Sequence, residues 1–169
     1  NKVIPVLFSR YPGPAELANA ELEEVKSIIR PIGFFHVKGK HIIAAAQTIQ
    51  HTYGGNVPQA MDQLLSIPGV GRKSANVLRG NCFGLPAIIV DTHFARVVNR
   101  LGLVSGSTPE RIEEEIGALL PEHAHYRFSM TVNMHGRTIC HAKRPACASC
   151  ILEDLCRKKG LPKALQLNS

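Results

Sequence analysis

Over most of the chain, apolar residues recur three and four positions apart, the spacing that gathers side chains onto one face of an α-helix. Ala18, Leu22, Val25 and Ile29 form a first stripe, closed by Pro31-Ile32-Gly33. Ile42, Ala45, Ala46, Ile49 and Tyr53 form a second, closed by Gly54-Gly55. A short helix from about Pro58 to Ser66 is predicted before the tight turn Ile67-Pro68-Gly69-Val70-Gly71. The helix after that turn carries Ala75, Leu78 and Cys82 on one face and stops near Gly84. Phe94, Val97, Val98 and Leu101 predict another, and so do Ile112, Ile116, Leu119 and Leu120. Thr108 reads as an N-cap for the latter, with Pro109 at the first helical position. A last long helix is predicted from about Ala124 to Ile139. LPAIIVDTH, residues 85–93, reads as an extended crossing, and no second apolar run is available to pair with it as a sheet. The pattern predicts an all-α fold without internal repeats or low-complexity tracts.

Composition narrows the class. At 169 residues the chain suits one domain or two small lobes, and 44% hydrophobic content excludes a disordered chain. The net charge of +7 favours an acidic partner, with nucleic acid ahead of a membrane surface. The longest apolar run, LPAIIV, is far too short to cross a bilayer, so no membrane partner is expected. The opening residues do not read as a secretory signal, so none is expected within the given sequence. The first residue is Asn, which leads us to expect a fragment or a processed product.

Cysteine usage adds candidate chemistry. Cys140, Cys147, Cys150 and Cys156 follow the spacing C-x6-C-x2-C-x5-C, while Cys82 stands apart on an apolar helix face and reads as a small core residue. Clustering of this kind argues against a disulfide framework and for a thiolate metal site in a reducing compartment. Zinc sites usually draw two knuckle pairs from separated segments. A single C-x2-C with compact outer cysteines suits a wrapped [4Fe-4S] cluster better. Lys143 and Arg144, between the first two cysteines, are candidate phosphate contacts.

The turn IPGVG offers a second site. Pro68 forces the preceding residue into an extended conformation, and Gly69 and Gly71 permit positive φ and close approach of backbone to a ligand. The amides of Gly69, Val70 and Gly71, at the start of a helix and beside Arg72, suit a phosphate oxygen. Lys73 follows directly. That end of a helix repels positive charge, so Lys73 reads either as a surface lysine gripping phosphate or as a neutral, nucleophilic amine.

LLSIPGVGRKSANV, VDTHFARVVNRLGL and the terminal cysteine spacing, in this order and with HGRTIC before the cysteines, resemble the endonuclease III family of the helix-hairpin-helix DNA glycosylases. The resemblance runs from near residue 1 to about residue 157. It implies an all-α, two-lobed fold: a helical barrel lobe over residues 1–85, with the hairpin motif at about 61–83, and a cluster lobe over 86–169. It implies excision of oxidised pyrimidines and nicking of the abasic strand by β-elimination through a lysine Schiff base. Lys73 matches the catalytic lysine and Asp91 the catalytic aspartate. The four clustered cysteines match the ligands of a [4Fe-4S] cluster, and Gly69 and Gly71 match the hairpin glycines. Phe34 falls where the family places a residue that wedges into the opened base stack, and His93 is a candidate phosphate contact. Asp91 is also a candidate N-cap for the helix it precedes. The implied partner is double-stranded DNA with a damaged pyrimidine or an abasic site, bound by a monomer inside the cell: cytoplasm or nucleoid, or nucleus or mitochondrion in a eukaryote. The family carries a segment ahead of the position matched by Asn1, with a helix that lines the cleft. Without it, an apolar face of the barrel is expected to lie uncovered.

Alternative readings are a monofunctional glycosylase of the same superfamily, a non-catalytic DNA-binding module and a small zinc protein. Lysine at position 73 disfavours the first, and the pairing of Lys73 with Asp91 disfavours the second. A zinc protein would be colourless, whereas an iron-sulfur protein is brown.

Overall fold

The computed structural model describes residues 2–162. Residue 1, the start of the first expected lobe, and residues 163–169, the end of the second, lie outside the described residues. The described residues form helices and 3-10 turns, with no strand among them. The chain divides between Ala75 and Asn76 into two compact units.

The first unit contains α1 (Ile4–Arg10), α2 (Pro14–Ala18), α3 (Leu22–Ile29), α4 (Phe35–Thr52) and α5 (Met61–Ser66). Proline opens α1 and α2, where its missing amide costs nothing. The long α4 packs against α2 and α3, and Leu7, Tyr11, Leu17, Ala18, Val25, Ile29 and Ala46 form the buried core. The stripe expected from Ala18 to Ile29 is two helices instead of one. The Asn19 side chain donates to the Ala15 carbonyl at 2.9 Å and ends α2, and Glu21 is extended ahead of α3. Both pieces still feed the same core, so the spacing identified the buried residues and missed the break. Similarly, α5 begins at Met61 after an extended Ala60, later than Pro58.

The second unit takes up the chain within α6 (Arg72–Phe83) and continues through α7 (Thr92–Leu101), α8 (Pro109–Leu119) and α9 (His125–Thr138). Its core is built around Phe94, which is fully buried with Ile88, Val90, Val97, Val98, Val104, Ile112, Ile116 and Val132. Phe128 meets Phe94 edge-on at 6.0 Å between centroids. The crossing before α7 is buried from Ala87 to Val90 without pairing as a strand. A buried amide needs a partner all the same, and that of Ile89 donates to Ser129 Oγ on α9 at 3.0 Å. Thr108 caps α8 as the sequence predicts, accepting from the Arg111 amide.

Cys82 is exposed, contrary to its reading as a core residue. The buried face of α6 in this unit runs through Asn76 and Gly80. The Tyr126 ring lies where a Gly80 Cβ would stand, 2.1 Å from its nearest atom. A glycine that admits an aromatic ring carries no hydrophobic signal, so the visible stripe found buried Ala75 and half-buried Leu78 and missed Asn76 and Gly80.

Candidate functional site

In the first unit, α5 ends where Ile67 turns extended, and the chain enters the turn predicted for phosphate. Gly69 adopts φ +81°, which a side chain rarely tolerates, and a Cβ there would meet His41 Cβ at 2.9 Å and the His41 ring at 3.2 Å. Gly71 does not use positive φ, and its Cβ position faces open space. Its carbonyl instead accepts from the Ala75 amide and starts α6. The Val70 amide is spent inside the turn on the Ile67 carbonyl at 3.0 Å, so it does not point outward as the sequence suggests. Lys38, His41, Pro68, Gly69 and Val70 line one open groove beside the turn, and Lys38 and His41 add donors that the motif alone does not reveal. Arg72 and Lys73 occupy the first turn of α6, and both are exposed. Phe34 lies elsewhere in this unit. It precedes α4 in the left-handed conformation, φ +59°, with 84% of its surface exposed. An aromatic residue that is both strained and solvated gains nothing for the fold.

In the second unit, Asp91 stands at the N-cap of α7. Its Oδ1 accepts from the amides of His93 at 2.9 Å and Phe94 at 2.8 Å. Its Oδ2 accepts from the Asn133 side chain on α9, and the Arg137 guanidinium lies 3.7 Å away. The side chain is 7% exposed. His93 Nδ1 lies 3.2 Å from an Arg96 nitrogen. Arginine only donates, so Nδ1 accepts and the neutral ring carries its proton on Nε2. Arg96 also donates to the carbonyls of Gly136 at 2.6 Å and Cys140 at 3.0 Å. The structure therefore ties Asp91, His93 and the first clustered cysteine together through α7.

Cys140, Cys147, Cys150 and Cys156 line one small cavity, with Val97, Leu101 and Ile139 as its apolar wall. Arg100, buried among the apolar residues of α7, donates to Cys140 Sγ at 3.2 Å and to the carbonyls of His141 and Ala142. The amides of Leu152 and Lys158 donate to Cys150 and Cys156 Sγ, each at 3.4 Å. Lys158 is 2% exposed, and its ammonium pairs with Glu153 at 3.0 Å. Burial pushes the Cys147 thiol up, and the neighbouring cysteines push the same way. Four thiolates crowded here need a cationic group to balance them. Among the described residues, no group of three or more His, Cys, Asp or Glu side chains could hold one metal ion. Burial also lowers the pKa of His135, whose ring lies 3.6 Å from Cys150 Sγ. Lys143 and Arg144 are exposed on the outer part of the loop.

Sequence reasoning missed Asn133, Arg137, Arg96, Arg100 and Lys158. Arg100 had a signal, a charged residue inside the apolar stripe of α7, and Arg137 sits within HGRTIC. Asn133 had none.

Among the described residues, no helix is long and apolar enough to cross a membrane. Residues 1–122 match the family model described as HhH-GPD superfamily base excision DNA repair protein. The chain is similar to endonuclease III of Synechocystis sp., with 43% identity over 92% of this chain and 72% of that one. Endonuclease III of Escherichia coli K12 is 37% identical over 94% of this chain and 75% of its own length. Among solved structures, a trapped endonuclease III–DNA covalent intermediate superposes with a TM-score of 0.88 at 37% identity, covering 94% of this chain and 75% of the other.

Proposed function

Since the chain belongs to the HhH-GPD superfamily of base excision DNA repair proteins, we propose that it is a DNA glycosylase and abasic-site lyase of the endonuclease III type, acting on oxidised pyrimidines in duplex DNA. The observation that carries the reading is a contrast of two settings on one chain: an exposed lysine in the first turn after the glycine turn, and an aspartate whose two oxygens are both held by donors. Likeness to a trapped covalent DNA intermediate supports a covalent step.

The damaged nucleotide is flipped out of the stack, and Phe34, exposed and poised ahead of α4, fills the opened step. The Gly69 turn, with Lys38, His41 and Arg72, grips phosphate. The Lys73 amine attacks the anomeric carbon of the sugar, and the base leaves with the electrons of the glycosidic bond. Asp91, fixed as a carboxylate, stabilises the positive charge that develops on the sugar. The amine loses a proton, the sugar ring opens as the C1′–O4′ bond breaks and O4′ takes up a proton, and the resulting Schiff base acidifies the sugar's C2′ proton. Loss of that proton expels the 3′ phosphate and breaks the strand. His93, its Nε2–H available, and the loop cations Lys143 and Arg144 add backbone contacts. Cys140, Cys147, Cys150 and Cys156 would hold a [4Fe-4S] cluster, which cross-links the loop and balances thiolate charge; no step of base release consumes electrons.

Borohydride trapping on a duplex with one thymine glycol or abasic site tests this reading. The parent protein should form a covalent adduct with the DNA, and Lys73→Ala should form none. An undiminished adduct in the variant would remove Lys73 as the nucleophile.

A further inference from the structure

The Asp91 carboxylate does two things with its two oxygens. Oδ1 alone caps α7, accepting from both His93 and Phe94. Oδ2 adds nothing to the cap, yet it is held too, by Asn133 on α9. Nor is the orientation of Asn133 arbitrary. Arg137 Nε, one helical turn further along, donates to Asn133 Oδ1 at 2.7 Å. A guanidinium can only donate and a carboxylate can only accept, so the amide oxygen must face Arg137 and the amide nitrogen must face Asp91. Arg137 itself stands 3.7 Å from Oδ2, beyond hydrogen-bond reach, with more than half of its side chain exposed.

We propose that Asn133 is a positioning residue for base release: oriented by Arg137, it holds Oδ2 and so fixes the plane of the Asp91 carboxylate, which the helix cap engages through Oδ1. This rests on the reading of Asp91 as the charge that stabilises the sugar cation. Preorganisation is what makes such a charge effective, because a carboxylate that must reorient as the cation forms loses much of its effect.

The test measures single-turnover base release from thymine glycol duplex at saturating protein, with duplex affinity and melting temperature measured beside it. Asn133→Leu keeps the size and cannot donate, and should slow release roughly tenfold, the order of one charge-assisted hydrogen bond. Asn133→Asp keeps the acceptor for Arg137 but faces Asp91 with like charge, and should slow it further. Asn133→Gln keeps both functions and should recover most of the rate. Affinity should hold across the series, and the melting temperature, lowered in the Leu and Asp variants, should stay well above the assay temperature. Release at the parental rate from the Leu and Asp variants, or a loss confined to affinity or melting temperature, would overturn the proposal. Asn133 is only partly buried, and should the Leu variant fail to fold, the Asp and Gln variants decide the question by their difference. Asp91→Asn separates the two readings: if it releases base at the parental rate, the assignment of Asp91 fails, whatever Asn133 does.

Discussion

Lys73 and Asp91 are held in opposite ways. Lys73 is exposed in the first turn of α6, on a long flexible stem. Asp91 is almost wholly covered and bonded through both oxygens to two elements, α7 and α9. The difference matches their assigned work. A nucleophile has to travel to a carbon atom and then remain attached while the strand breaks. A stabilising charge has to be in place before the charge it opposes appears.

The sharpest break in the comparison is Lys73→Gln. Strand nicking should fall by about 10³-fold or more and the trapped adduct should vanish, while the melting temperature stays within about a degree, because an exposed side chain contributes little to the fold. Quantitative gel trapping and a thermal melt check both halves. Next comes Gly69→Val, which forces a branched side chain into φ +81° against the His41 ring. A stability loss of about 1–3 kcal/mol with weakened duplex binding is expected; unchanged binding would detach the turn from phosphate recognition. Phe34→Gly works in the other direction. It should stabilise the first unit by about 1 kcal/mol by relieving the left-handed strain, while slowing base release. A variant that is more stable and equally fast would show that the aromatic ring has no part in the reaction.

The smallest effect sharpens the comparison with a second pinned carboxylate. Glu115 accepts from the amides of Ser105 at 2.7 Å and Gly106 at 3.2 Å. The Ser105 amide foremost, with the Ser105 hydroxyl, the Gly106 amide and Arg111, holds its carboxyl below the ordinary value of 4.5. A depressed carboxyl stabilises the fold above its unfolded value, and that stabilisation is lost as pH falls through the folded value. Glu115→Gln should therefore melt slightly lower at neutral pH, with the gap closing on acidification below about pH 4.5, and should leave base release untouched. If Asp91→Asn behaved the same way, pinning alone would account for Asp91 and its catalytic role would fall.

The contrast also explains what was legible in the sequence. The glycine turn, the Thr108 cap, the α7 stripe and the cysteine spacing are local patterns, and a local pattern survives in one dimension. The break at Asn19 turned on one side chain folding back to Ala15, a choice that helical spacing does not register. Part of the buried face of α6 was hidden because Gly80 makes room for Tyr126 from far along the chain. The partners of Asp91 on α9 were hidden for the same reason. Asn133 looks like any polar residue on a helix until α7 and α9 are side by side.

Arg100 fastens both ends of the cysteine loop to α7. Its guanidinium holds the loop's beginning at Cys140, His141 and Ala142, and its own carbonyl receives the loop's end, from the Lys159 amide at 3.1 Å and Cys156 Sγ at 3.5 Å. Bringing together the ends of a flexible segment of this length costs about 2–3 kcal/mol of chain entropy. One arginine of α7 meets that cost with the protein's own hydrogen bonds, so both ends of the cysteine loop are tied to a single residue.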